Sequence, residues 1–183
     1  MKNFENHPSK NLLVEKLSQI KVCAFDVDGI LTDGKIWWGG DEVGWNRSYN
    51  IRDGYGLVLL KRLGFQVGVI TGGDSLSIEK RFQDNIALDF VYKGKEDKRG
   101  AFQDLISKGF KADEILYMGD ELFDIPLLKV AGFSATVPCA SADVLGVVDY
   151  VTEKSAGNGA VREVIDILFF SRDLKVKLPE LEL

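Results

Sequence analysis

The chain has 183 residues, 45% of them hydrophobic and 28% charged, and carries a net charge of −5. That length suits one domain around one core, and a net negative chain is a poor match for nucleic acid or an anionic membrane surface. No apolar run approaches the ~20 residues that cross a bilayer, and Met1–Lys10 lacks the apolar segment of a signal peptide. A cytoplasmic protein is expected, a single domain over 1–183, with 1–10 as a mobile leader and 171–183 as a mobile tail.

In chain order, Ser9 as N-cap and Leu12, Leu13, Lys16 and Leu17 at helical spacing predict a helix over 9–19. The apolar run 21–25 predicts a buried strand. Residues 34–49 predict a β-hairpin turning at Gly39-Gly40-Asp41. Helices follow over 53–62, 74–83, 98–108, 121–130 and 159–169. Strands follow over 65–70, 90–92, 115–118, 133–136 and 148–151. This alternation predicts an α/β fold: a doubly wound, Rossmann-like parallel sheet with helices on both faces, the hairpin protruding from it. Cys23 and Cys139 have no metal-ligand spacing and read as buried thiols in a reducing compartment. The one histidine, His7, lies in the leader, so acid–base chemistry falls to carboxylates, lysine or water.

Ligands of such folds bind outside the carboxyl ends of the strands. There the sequence places Asp26-Val27-Asp28-Gly29, then Thr71-Gly72-Gly73, then Gly119-Asp120-Glu121 with Asp124 a turn beyond. Lys98 opens the helix over 98–108. Each motif alone also has a plain reading: Asp with Gly makes turns, Gly-Asp at a helix start makes a cap, and a lone lysine is a solvated one. Together, on one edge, they can hold Mg2+ on the hard oxygens of Asp26 and Asp120. Thr71 and Lys98 can hold a phosphate, Asp26 can attack phosphorus, and Asp28 can serve as acid and then base.

At these residues the sequence resembles the haloacid-dehalogenase-like phosphatases. Phe25-Asp26-Val27-Asp28-Gly29-Ile30-Leu31-Thr32-Asp33-Gly34 is similar to their first motif. Ile70-Thr71-Gly72 is similar to the second, Lys98 to the third, and Gly119-Asp120-Glu121-Leu122-Phe123-Asp124 to the fourth. The resemblance implies Asp26 as nucleophile through an aspartyl-phosphate and Asp28 as general acid/base. It implies Mg2+ on Asp26, the Asp28 carbonyl and Asp120, with Asp124 supporting Lys98 or the metal shell. The segments Asn50-Ile51-Arg52-Asp53-Gly54-Tyr55-Gly56 and Gly159-Ala160-Val161-Arg162-Glu163 resemble the capless branch that acts on ulosonic acid phosphates in lipopolysaccharide precursor synthesis. The short stretch from Asp26 to Thr71 leaves no room for a cap domain.

That branch implies a small sugar-acid phosphate as partner, preferably the eight-carbon ulosonate, and a homotetramer built through the hairpin. The apolar Ile36, Trp37, Trp38, Trp45 and Tyr49 agree, because adjacent apolar positions face both sides of a ribbon. Substrate contacts are expected from Asn50, Arg52, Asp53, Gly54, Gly72 and Arg81. Three positions depart from the pattern: Gly73 and Val58 stand where basic residues are usual, and Asn158 where an arginine is. Arg47, Lys80 or a neighbouring subunit's tail could compensate. A nine-carbon ulosonate 9-phosphate, a non-catalytic module of the same fold and a receiver-type phosphoacceptor are the alternatives, the last disfavoured by Asp28.

Overall fold

The computed structural model describes residues 2–177. Its centre is a six-stranded parallel sheet in the order β5-β4-β1-β6-β7-β8. The strands are β1 (Val22–Phe25), β4 (Gln66–Ile70), β5 (Phe90–Tyr92), β6 (Ile115–Met118), β7 (Phe133–Thr136) and β8 (Tyr150–Val151). Two further strands, β2 (Trp37–Trp38) and β3 (Trp45–Asn46), form the separate antiparallel hairpin. The strand order reverses between β4 and β6, on either side of β1, and the crevice at such a switch point is where ligands enter.

β1 sits in the middle because all four of its side chains are buried. Its alternation splits the core in two. Cys23 and Phe25 join a cluster with Leu13 and Leu17 of α2 (Lys10–Ser18), Leu57 and Leu60 of α3 (Ile51–Arg62), and Val164 and Leu168 of α8 (Ala160–Ser171). Val22 and Ala24 join a second cluster with Phe102 and Leu105 of α5 (Arg99–Ser107), Leu127 of α6 (Ile125–Leu128) and Val144 of α7 (Ala142–Leu145). Each fully buried Leu or Phe contributes ~1.5–3 kcal/mol, so both faces are closed by burial that the strand run requires. No cap domain is inserted between β1 and α3 or after β4.

Several expectations are corrected. The helix expected over 74–83 is one turn, α4 (Leu76–Glu79), continued by a wider turn over Lys80–Asn85. The helix expected over 121–130 is a tight turn, Leu122–Asp124, followed by α6 with Pro126 in its first turn. α7 was not expected. Cys23 is buried, but Cys139 is exposed.

The leader expected to be mobile is packed. In α1 (Lys2–Glu5) Phe4 is wholly buried, edge-on to Tyr150 at 6.1 Å, and the Asn3 amide donates to Glu153 Oε1 at 2.6 Å. The first part of the tail is held as well. Arg172 donates to the Ile20 carbonyl at 2.7 Å and Leu174 packs on the core. Residues 178–183 of the expected tail lie outside the described residues.

Candidate active site

β1 ends at Phe25, and the next amide, of Asp26, still bonds to the Met118 carbonyl at 2.9 Å. The Asp26 side chain thus starts from the last rung of the ladder. It is buried, and its Oδ1 accepts from the Val27 amide at 2.7 Å. Lys98, just before α5, lies 2.9 Å from Asp26 Oδ1 and 2.7 Å from Asp124 Oδ1. The Tyr117 hydroxyl donates to the same Asp124 oxygen at 2.6 Å. The side chains of Lys98 and Asp124 have no exposed surface, and the Phe123 ring lies 4.6 Å from the ammonium. A buried ammonium is tolerated because two carboxylates pair with it.

Asp124 also orders the loop that carries Asp120, since its Oδ2 accepts from the Asp120 amide at 3.1 Å and the Glu121 amide at 3.2 Å. Asp26, Asp120 and Asp124 each bring a carboxylate oxygen within 4.8 Å of the others. Gly29 makes this possible. Its φ of +87° is left-handed backbone, and a Cβ there would overlap the Asp120 carboxylate. Burial, reinforced by the charge of Asp124, raises the Asp120 carboxyl to about 7 against the pull of Lys98. Burial likewise raises Asp26 to about 8, with Lys98 opposing and Asp124 adding to it.

The donor set fits Mg2+. Asp120 Oδ1 is buried and finds no hydrogen-bond partner among the described residues. Three carboxylates against one ammonium leave an excess of two negative charges when all are ionised. Hard oxygens in this arrangement suit a hard divalent cation.

Thr71 follows β4. Its amide bonds to the Tyr92 carbonyl at 2.9 Å, and its Oγ1 accepts from the Gly73 amide at 3.1 Å. Gly72 is exposed beside it. A cavity of about 450 Å3 opens at Thr71 and Lys98, with Lys93 and Lys95 on its wall. Asp28 is half-buried, and its side chain turns to Arg47: Nε donates to Oδ1 at 2.7 Å and Nη2 to Oδ2 at 2.9 Å.

The expected substrate residues divide. Asn50 caps α3, its Oδ1 accepting from the Arg52 amide at 2.8 Å, and its Nδ2 donates to the Gly157 carbonyl at 3.2 Å. Asp53 is fully buried. It accepts from the Gly159 amide at 3.0 Å and the Arg162 amide at 2.7 Å, so it holds the start of α8 and does not face the crevice. Gly54 serves by space, since a Cβ there would overlap Arg81 Nη2.

Arg81 donates to Asn85 Oδ1 at 2.7 Å, lies over the Tyr49 ring at 5.8 Å, and keeps a buried Nε without a partner among the described residues. It lines a second cavity of about 400 Å3 with Arg47, Tyr49, Ser77 and Lys80. Arg52 is exposed at the start of α3. Val58 packs on the core and Asn158 is exposed. Tyr117 was not singled out from the sequence, because a tyrosine inside an apolar strand reads as core. Its contact with Asp124 exists only once β6 and the Leu122–Asp124 turn are built.

The family model of haloacid dehalogenase-like hydrolases matches residues 75–165. The 3-deoxy-D-manno-octulosonate 8-phosphate phosphatase KdsC of Escherichia coli (strain K12) is 34% identical over 163 residues, covering 87% of this chain and 85% of that protein. The crystal structure of 3-deoxy-D-manno-octulosonate 8-phosphate phosphatase from Yersinia pestis superposes with a TM-score of 0.85 at 31% identity, over 90% of this chain and 88% of that one. The enzyme from Moraxella catarrhalis, solved in complex with magnesium ion, phosphate ion and KDO, superposes with a TM-score of 0.84 at 34% identity, over 92% and 95%.

Proposed function

Because this chain belongs to the haloacid dehalogenase-like hydrolases, we propose that it hydrolyses 3-deoxy-D-manno-octulosonate 8-phosphate, the substrate named for its relatives, through an aspartyl-phosphate on Asp26. The observation that carries this reading is the meeting of Asp26, Lys98, Asp120 and Asp124 at the carboxyl ends of β1 and β6.

In this reading an Asp26 oxygen attacks phosphorus in line, and its O–P bond forms as the ester P–O bond breaks. Asp28 gives a proton to the leaving oxygen. It then takes one from the water that attacks the acyl phosphate, which frees phosphate and restores Asp26. Thr71 and the amides after it hold phosphoryl oxygens. Lys98 supplies fixed positive charge in a water-poor setting, where charge stabilisation is strongest. Asp124 holds Lys98 and the Asp120 loop in register. Mg2+, held by Asp26, Asp120 and the Asp28 carbonyl, supplies neutralisation of the phosphate charge and of the repulsion between carboxylates. Arg81 and Arg52 are the candidates for the sugar-acid carboxylate. Asn50, Asp53 and Gly54 support them from behind.

The reading extends to a homotetramer in the cytoplasm. Ile36, Trp37, Trp38 and Trp45 are each 46–53% exposed, and an apolar ribbon of that kind favours a partner. Among the described residues no helix is long and apolar enough to cross a membrane.

The test is phosphate release from a panel of ulosonic acid phosphates of eight and nine carbons with Mg2+. The highest kcat/KM is expected for the eight-carbon 8-phosphate, and no turnover for Asp26→Asn. A chelator should abolish activity and Mg2+ restore it. A nine-carbon preference overturns the substrate, and an active Asp26→Asn variant overturns the nucleophile.

A further inference from the structure

Arg47 is 6% exposed, although it follows directly from the exposed strand β3. Burying a guanidinium is costly unless it is fully paired. Here the pairing is a two-pronged fork on Asp28, Nε to Oδ1 at 2.7 Å and Nη2 to Oδ2 at 2.9 Å. The third nitrogen, Nη1, donates to Ser77 Oγ at 3.1 Å and to Ser75 Oγ. Ser75 and Ser77 lie in and before α4, just past the Thr71 loop, so Arg47 ties the hairpin, Asp28 and that loop together.

Gly73 is what lets the guanidinium in. A Cβ at position 73 would stand 3.2 Å from Asp28 Oδ2, 3.4 Å from Arg47 Nη2 and 2.9 Å from Ile78 Cδ1. Any larger side chain would compete for the volume that the fork fills. The absence of a side chain at 73 and the arrival of Arg47 from the hairpin are two halves of one arrangement.

Building on the reading of Asp28 as acid and base, we propose that Arg47 is a positioning residue for the proton transfer. Its fork sets the plane of the Asp28 carboxylate, and Ser75 and Ser77 hold the fork. A carboxylate offers about four lone-pair sites. The fork occupies one on each oxygen, Thr32 Oγ1 at 3.3 Å approaches Oδ1, and among the described residues a second site on Oδ2 has no partner, where the proton that passes to the leaving oxygen can sit. Planar, charge-assisted pairing fixes direction as well as distance, which a single ammonium does not do.

The experiment measures kcat/KM, which reports the steps through phosphoryl transfer to Asp26. It compares wild type, Arg47→Ala and Arg47→Lys on 4-nitrophenyl phosphate, a neutral hexose 6-phosphate and an ulosonic acid phosphate. The nitrophenolate leaves without a proton; the two sugar alkoxides need one. Positioned acid catalysis contributes roughly 100- to 10,000-fold. Arg47→Ala is therefore expected to lose at least about tenfold more on both sugar phosphates than on the aryl ester, with partial recovery in Arg47→Lys.

Equal losses on all three substrates overturn the proposal in favour of a purely structural role. A loss confined to the carboxylate-bearing substrate overturns it in favour of a substrate clamp. Should Arg47→Ala fail to fold, the Ser75→Ala/Ser77→Ala double variant loosens the same fork. The same leaving-group pattern supports the proposal and a flat one overturns it. Asp26→Asn separates the two readings. If it retains activity, the nucleophile assignment fails. If it is dead while the Arg47 variants show a flat pattern, only the role of Arg47 fails.

Discussion

Asp26 and Asp120 hold protons far above the ordinary carboxyl value of 3.8, at about 8 and about 7, because burial and Asp124 disfavour their charged forms. The folded chain without metal therefore binds protons that the unfolded chain releases. The stability these two groups contribute is full below about pH 4 and is lost as pH rises through 7 and 8. Mg2+ binds the ionised forms, so its stabilising effect runs the other way. The rise in Tm on adding Mg2+ should be small at pH 5.5 and large at pH 8.5, and Asp120→Asn should remove most of it. Thermal scans at the two pH values check this; an equal shift at both would refute the coupling. Asp26, Lys98 and Asp120 were legible in the sequence because each sits at a strand end or beside one, where chain order alone fixes the edge. Asp53 was not, since its partners, Gly159 and Arg162, are 106 and 109 residues away and belong to a helix whose position depends on the whole sheet.

At the level of elements, that carboxylate ties α3 to the N-terminus of α8, where unpaired amides carry partial positive charge. Losing a helix-cap acceptor costs ~0.5–2 kcal/mol. Asp53→Ala should lower Tm by a corresponding few degrees and leave KM close to wild type; denaturant titration with steady-state kinetics reads both. A KM that rises sharply while Tm is unchanged would return Asp53 to the substrate. The six sheet strands were readable from short apolar runs, since a strand buried on both faces has little else to be. The helices over 74–83 and 121–130 were overread. Both begin where the chain must first turn its amides and acids toward the crevice, so the Glu121–Asp124 turn that presents Asp120 and α4 beside Arg47 gain site geometry at the expense of helical length.

For the whole molecule, the hairpin is where four large apolar side chains, Ile36, Trp37, Trp38 and Trp45, stand about half in solvent. Trp38 and Trp45 stack edge-on at 5.5 Å yet stay half in solvent. Gel filtration with light scattering should give a tetramer at micromolar concentration, and Trp38→Lys with Trp45→Lys should shift it to a smaller species; a wild-type monomer would sink the assembly. At the opposite end of the sheet, Asn3, Asn6, His7 and Pro8 line a groove with residues 148–151, beside the two-residue edge strand β8. An edge strand carries unspent hydrogen-bonding groups that can recruit a strand from another copy. Phe4 packs edge-on to Tyr150 at 6.1 Å, which holds the leader beside that edge. Deleting residues 2–8 should therefore show itself first as turbidity on gentle warming, well before activity at low temperature is lost, and the start of the chain then belongs to the protein's colloidal life rather than to its chemistry.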